Sequence, residues 1–143
     1  MTDIEAAPAP RLFGQEHVRR YLASDGAEGW EWNGVQTLIL TTTGRRSREP
    51  RLTPLIYGQD GQAYMVVASK GGAPEHPAWY LNLLASGRCQ VQVGPTVLAV
   101  RARVARGEER TRLWDLMARI WPAYNDYALR TSREIPVVVL DPV

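Results

Sequence analysis

Four arginines, Arg45, Arg46, Arg48 and Arg51, fall within seven consecutive positions of TTGRRSREPRLTPL (42–55). The planar fork of arginine binds phosphate or carboxylate oxygens in pairs, so Arg45, Arg46 and Arg51 at a strand–loop–strand junction could hold an anionic group. The competing reading is a solvated hairpin tip, where charge runs commonly sit. A second stretch, ASKGGAPEHPAWYLNLLA (68–85), carries Lys70, the only lysine beside sixteen arginines. Gly71 and Gly72 let the backbone approach a ligand and offer N–H groups with no Cβ in the way. Pro77 then suits a helix start, whose free N–H groups favour negative charge. A flexible turn explains paired glycines equally well; the order strand, lysine, glycines, helix start is what points to a ligand. In WPAYNDY (121–127), Trp121, Tyr124 and Tyr127 recur every three residues and can line one side of a short helix. An aromatic wall with two phenol donors suits a flat, electron-poor substrate whose oxygens accept hydrogen bonds. The alternative is that the rings are core. That alternative is the stronger for Trp121, which completes a helical apolar stripe, and the two readings are close for Tyr124 and Tyr127.

Other chemistries find little support. His17 and His76 are the only histidines, and neither has a second metal ligand at a recognisable spacing, so no metal site is expected. Ser69 beside Lys70 suggests a nucleophile and base, but adjacent strand residues point to opposite faces. No carboxylate pair stands out. G-x-G-x-x-G is missing, and GRRSREPR lacks the Gly-Lys-Ser/Thr of a Walker A loop. A net charge of +2 is too small to imply nucleic acid or anionic membrane as a partner.

The elements that must position these groups can be read in outline. Residues 12–25 suit a helix with Val18, Tyr21 and Leu22 on one side, and DGAEGWEWNG breaks the pattern. QTLILTTT (36–43), RLTPLIYG (51–58) and QAYMVVAS (62–69) read as strands, the last two joined by an Asp60-Gly61 hairpin; Pro54 argues for an edge or a bulge. Pro77 is expected as the first residue of a helix through Ala85. CQVQVG and TVLAVRARVA form a hairpin around Gly94-Pro95, with Leu98, Val100, Ala102 and Val104 on the buried face. Residues 108–121 are the clearest helix, AYNDYALR a turn or short helix, and IPVVVL the last buried strand. About six short strands in hairpins with inserted helices predict an antiparallel barrel carrying peripheral helices, mainly β in class. At 143 residues one domain over 11–143 is expected, behind a disordered lead-in at 1–10. No apolar run reaches bilayer length and no signal peptide is recognisable; the lone Cys89 suits a reducing cytosol, so a cytoplasmic setting is expected.

The segments TLILTTTGRRSREPRLTPLIY, YMVVASKGGAPEHPAWYLNLLA, VQVG, WPAYNDY and RTSREIPVVVLDP together resemble the deazaflavin-dependent nitroreductase family, from about residue 35 to the C-terminus. The resemblance implies a split β-barrel related to flavin-binding split barrels, with coenzyme F420, an 8-hydroxy-5-deazaflavin bearing a phosphate and an oligoglutamate tail, as cofactor. It implies that Arg45, Arg46 and Arg51 take the anionic tail, and that Lys70, Gly71 and Gly72 meet the cofactor with Ser69 beside its ring. Pro54, Ala68, Ala78, Trp79 and Asn82 fall in its cofactor-pocket segments. Trp121, Tyr124 and Tyr127 match positions over the substrate, and Ser69, Tyr124 and Tyr127 would hydrogen-bond the acceptor. Arg46 stands where the family often has lysine and should still hold phosphate; Ile56 stands where an aromatic is sometimes seen and Trp121 where a tyrosine can occur, which bears on substrate range. The expected activity is hydride transfer from the reduced deazaflavin to a small-molecule acceptor such as a quinone, enone or nitroaromatic. Binding of FMN or haem in the same barrel, or a non-catalytic F420 carrier, are the alternatives. Monomer and homodimer both stay open, as does peripheral membrane contact by the N-terminal helix.

Overall fold

The computed structural model of the chain describes residues 12–143; the lead-in at 1–10, expected to be disordered, lies outside them. Helix α1 (Gly14–Ala23) buries His17, Val18 and Tyr21. Leu22, expected on that inner face, is instead 39% exposed. His17 and Tyr21 are four residues apart and so share one line along the helix, and their polar contacts set its rotation. The Tyr21 hydroxyl donates to the Thr37 carbonyl (3.0 Å) and accepts from the Gly94 N–H (2.8 Å).

Strand β1 (Glu31–Trp32) lies inside the stretch expected to be irregular and pairs with β2 (Val35–Thr43). Two residues carry no period to read. Strand β3 (Pro50–Ile56) runs antiparallel to β2 with Thr42 opposite Arg51 and Ile39 opposite Pro54. It pairs with β2 alone among the described strands, so Pro54 sits on an edge, where its missing N–H costs no ladder bond. The single strand expected over 51–58 is broken at Tyr57. Beyond it β4 (Gly58–Asp60) leaves β2 and pairs with β5 (Ala63–Val67) across the Asp60-Gly61 turn. Tyr57 holds the corner: its N–H donates to the Gln36 carbonyl (3.1 Å) and its hydroxyl accepts from Trp30 (3.2 Å).

A 3-10 turn at Lys70–Gly72 follows, then α2 (Ala78–Ala85), with Pro77 at its cap position rather than inside it. Strands β6 (Arg88–Val93) and β7 (Thr96–Val104) form the expected hairpin. Helices α3 (Gly107–Ile120) and α4 (Ala123–Leu129) lead to β8 (Val137–Pro142). The described residues thus form eight strands rather than about six, in one sheet ordered β1-β2-β6-β7-β8-β5-β4 with β3 on the other side of β2. All pairings are antiparallel. Strands β3 and β5, which share no ladder with each other, lie close together, so the sheet coils toward a barrel.

Both faces of the central strands are covered, which is why β8 reads as an unbroken apolar run. Val138 and Leu140 face Leu38, Leu40, Val91 and the Trp79, Tyr80 and Leu83 side of α2. Val137 and Val139 face Leu113 and Met117 of α3 together with Tyr124. Truncating a fully buried side chain such as Met117 to alanine costs roughly 2–5 kcal/mol. Gly58 lets α3 sit directly on the sheet, since a Cβ there would lie 2.7 Å from the Met117 sulfur. Among the described residues no helix is long and apolar enough to cross a membrane.

Candidate active site

Two clefts of about 430 and 520 Å³ meet along β3 and the start of α2, and Thr53 and Trp79 line both. The larger is cationic, with Arg45, Arg46, Arg51, Ala78 and Asn82 in its lining. The smaller is aromatic, and Pro54, Ser69, Lys70 and Gly71 form one side of it.

The arginine loop is closed by its own backbone: the Gly44 N–H donates to the Glu49 carbonyl (2.8 Å) and the Arg48 N–H to the Gly44 carbonyl (2.9 Å). Asn82, only 4% exposed, ties that loop to α2. Its Oδ1 accepts from the Arg45 N–H (3.1 Å) and Nη1 (3.3 Å), and its Nδ2 donates to Thr42 Oγ1 (3.1 Å). Arg51 Nη2 donates to Ser47 Oγ at 3.2 Å. Among the described residues Arg45, Arg46 and Arg51 form no ion pair with a carboxylate, whereas Arg19, Arg20, Arg103 and Arg112 do.

Ser69 is buried and its backbone is helical (φ −83°, ψ −37°). Strand β5 ends at Val67, so the strand alternation expected to separate Ser69 from Lys70 does not apply. Lys70 is instead engaged elsewhere: its Nζ lies 3.0 Å from Glu75 Oε1, with both side chains largely exposed, and this pairing lowers the Glu75 carboxyl below its usual range. Such a surface pair is worth little and exchanges readily for another anion. The two glycines differ. Gly71 (φ +63°) faces the cleft with open space around its Cβ position. Gly72 (φ +84°) is packed beneath α4, where a Cβ would stand 2.7 Å from the Tyr127 carbonyl oxygen. Its N–H is used within the turn, donating to the Ser69 carbonyl at 2.9 Å. Ala68 is wholly buried, so Ala68 and Gly72 support the loop from behind and line neither cleft.

Trp121, Tyr124 and Tyr127 all line the aromatic cleft. Trp121 caps α3 and closes on Trp32 with ring centroids 5.6 Å apart, so it serves the apolar stripe and the cleft together. Tyr124 packs in the core, its ring 6.3 Å from Trp114 and 6.1 Å from Tyr127. Burial, with Tyr127 beside it, pushes its phenol well above the usual tyrosine value, so the hydroxyl stays protonated. The half-buried Tyr127 hydroxyl accepts a long bond from Trp121 Nε1 (3.5 Å), which leaves its own hydrogen to donate.

Phe13, His17 and Trp32 complete the cleft and were not anticipated from the sequence. His17 stacks on Trp32 at 6.4 Å, and its Nε2 donates to the Gly29 carbonyl at 2.8 Å, because a carbonyl can only accept. The signal available was His17 four residues before Tyr21 in an amphipathic segment. Among the described residues no three His, Cys, Asp or Glu side chains gather as metal ligands.

Comparison with known proteins gives one consistent result. A family model described as F420H(2)-dependent quinone reductase matches residues 13–142. The F420H(2)-dependent quinone reductase Rv1261c of Mycobacterium tuberculosis is 41% identical over 128 residues, spanning 87% of this chain and 86% of that one. Among solved structures, an F420-H2 dependent reductase (FDR-A) superposes with a TM-score of 0.69 at 40% identity, covering 73% of this chain and 93% of its own. A domain-swapped dimer superposes with a TM-score of 0.72 at 37% identity, covering 89% of this chain and 96% of its own. A mostly β split-barrel sheet with peripheral helices, a family match over nearly the whole described chain and relatives at this identity place the protein in the F420H(2)-dependent quinone reductase family, whose cofactor is coenzyme F420.

Proposed function

We propose that the protein transfers hydride from reduced coenzyme F420 to a quinone, and that enones and nitroaromatics are further acceptors for the same cleft. The observation that carries this reading is the adjacency of the two clefts, which share Thr53 and Trp79: an arginine loop with no carboxylate partner among the described residues borders one, and an aromatic wall the other. That shape and charge fit a cofactor with a planar ring at one end and a polyanionic tail at the other. Arg45, Arg46 and Arg51 hold the tail, with Lys70 exchanging Glu75 for it. Pro54, Ser69, Gly71, Ala78, Trp79 and Asn82 border the ring and its linker, over the support of Ala68 and Gly72. When bound, the reduced cofactor supplies a hydride from ring carbon, a two-electron donation.

The rest of the work falls to the chain. Trp121, Trp32 and Phe13 enclose a flat acceptor and keep water from it. Ser69, Tyr124 and Tyr127 donate hydrogen bonds to the acceptor's oxygens, where negative charge develops as the hydride arrives. Tyr124 is kept in its donor form by burial. The Tyr127 hydroxyl, at the half-buried side, hands a proton to the reduced oxygen and regains one from water. The domain-swapped relative supports a homodimer, which sedimentation equilibrium would check. The reaction is tested by mixing the protein with the reduced cofactor and a panel of quinones, enones and nitroaromatics. Saturable oxidation of the cofactor, fastest with quinones, is expected. Tight binding without turnover across the panel would instead identify a carrier.

A further inference from the structure

We infer that Arg133, working with a neutral His76, is a positioning residue that holds the Ala68–Ala73 loop in shape; its relevance to catalysis rests on the proposed cofactor site, to which this loop contributes Ser69, Lys70 and Gly71. Arg133 lies in the segment joining α4 to β8 and passes behind the loop. Its Nε donates to the Ala73 carbonyl (2.9 Å) and its Nη2 to the Ser69 carbonyl (2.9 Å). Its Nη1 donates to the Ala68 carbonyl (3.3 Å) and to His76 Nδ1 (3.0 Å). A guanidinium has five N–H donors and no acceptor, so four of these five are committed, three to the carbonyls of one loop and the fourth to His76.

The loop needs such a clamp. Its last backbone bond to the sheet runs from the Ala68 N–H to the Pro136 carbonyl (2.9 Å); apart from Arg133, what remains is two internal bonds, Gly72 N–H to Ser69 O (2.9 Å) and Ala73 N–H to Lys70 O (3.1 Å), and a long bond from Arg130 Nη1 to the Gly71 carbonyl (3.4 Å). Lys70 moreover sits at φ +46°, a region that side chains disfavour. Drawing three carbonyls to one fixed fork leaves Ser69, Lys70 and Gly71 on the opposite side, where they line the cleft. A lysine has no planar fork and cannot meet that geometry.

Because the guanidinium only donates, His76 Nδ1 must accept, which puts the imidazole proton on Nε2. The His76 ring rests on the Tyr80 ring of α2 (4.8 Å). The charged groups around it are Arg133, the adjacent Glu75 and, through Glu75, Lys70. Protonation would remove the lone pair and set a second cation against the guanidinium. Burial and Arg133 together hold His76 below the usual histidine range. Loop order is therefore complete above the ordinary histidine value and lost as pH falls through the lowered one.

The test is amide hydrogen exchange on the cofactor-free, full-length protein, paired with coenzyme F420 fluorescence titration. Arg133→Gln and Arg133→Lys should each speed exchange at Gly72 and Ala73 about tenfold or more, with β5 and β8 amides unchanged, and weaken F420 binding about tenfold. Unchanged exchange at Gly72 and Ala73 would overturn the inference. Faster exchange with unchanged F420 affinity would uphold the clamp and refute the placement of the cofactor on this loop. His76→Asn keeps an acceptor near the Nδ1 position without titrating. It should match the wild type at neutral pH and lack the extra loop exchange that the wild type gains as pH falls below the usual histidine range. An identical acid response in both would overturn the role of His76, without requiring an Arg133 variant to fold.

Discussion

Replacing Gly72 and Gly71 by alanine separates the packing of the loop from its contact with a ligand. Both glycines have positive φ, so each alanine incurs roughly 1–2 kcal/mol for the left-handed backbone. Gly71→Ala adds no clash, since nothing lies within 4 Å of the new methyl. Gly72→Ala places that methyl 2.7 Å from the Tyr127 carbonyl oxygen and 3.1 Å from its Cα, backbone atoms that cannot rotate aside. Relief requires α4 to shift, an overpacking cost of about 1–3 kcal/mol. The totals are roughly 1–2 kcal/mol for Gly71→Ala and 2–5 kcal/mol for Gly72→Ala. At about 3 °C per kcal/mol for a chain of this size, Tm should fall by about 3–6 °C and 6–15 °C respectively. Function should diverge in the other sense. The Gly71 methyl enters the cleft and should weaken coenzyme F420 binding, while Gly72→Ala, by moving Tyr124 and Tyr127 on α4, should chiefly raise KM for the acceptor. Thermal melts with fluorescence titrations and steady-state assays on both variants read all of these quantities. Equal Tm losses, or full stability in Gly72→Ala, would refute the close approach of α4 to the loop.

Two further perturbations address the site directly. Tyr124→Phe and Tyr127→Phe should leave Tm and cofactor affinity nearly unchanged while lowering kcat and kcat/KM together, the mark of an interaction made in the transition state; normal rates in both would remove the tyrosines from the chemistry. Arg51→Ala should weaken coenzyme F420 binding by roughly 1.5–3 kcal/mol, and wild-type affinity should decline as salt screens the loop over about 10 Å at 0.1 M; an unchanged dissociation constant would take Arg51 out of the site.

What the sequence disclosed follows from which interactions are local. The apolar periodicity of α3, the Asp60-Gly61 and Gly94-Pro95 turns and the unbroken run of β8 each lie within one segment, and all appear in the fold. The break at Tyr57 does not, because RLTPLIYG keeps its strand-forming character while its partner changes from β2 to β5. The clustered arginines and the Lys-Gly-Gly turn were visible as composition. Which glycine faces the cleft was not, because α4, more than fifty residues later, decides it. The aromatic wall was half legible: WPAYNDY announced one side by its spacing, but Phe13, His17 and Trp32 come from a segment whose sequence shows an amphipathic helix and a glycine-rich break. Arg133 was one arginine among sixteen, and its contacts lie some sixty residues back along the chain.

The most direct test of the central claim is a paired fluorescence titration of the purified protein with oxidised coenzyme F420 and with FMN, at low and high salt. The cationic loop and the adjoining aromatic cleft predict saturable F420 binding, tighter than FMN and weakened by salt, because the glutamate tail meets Arg45, Arg46 and Arg51 while FMN offers a single phosphate. FMN binding as tight as that of F420, or F420 binding indifferent to salt, would contradict it.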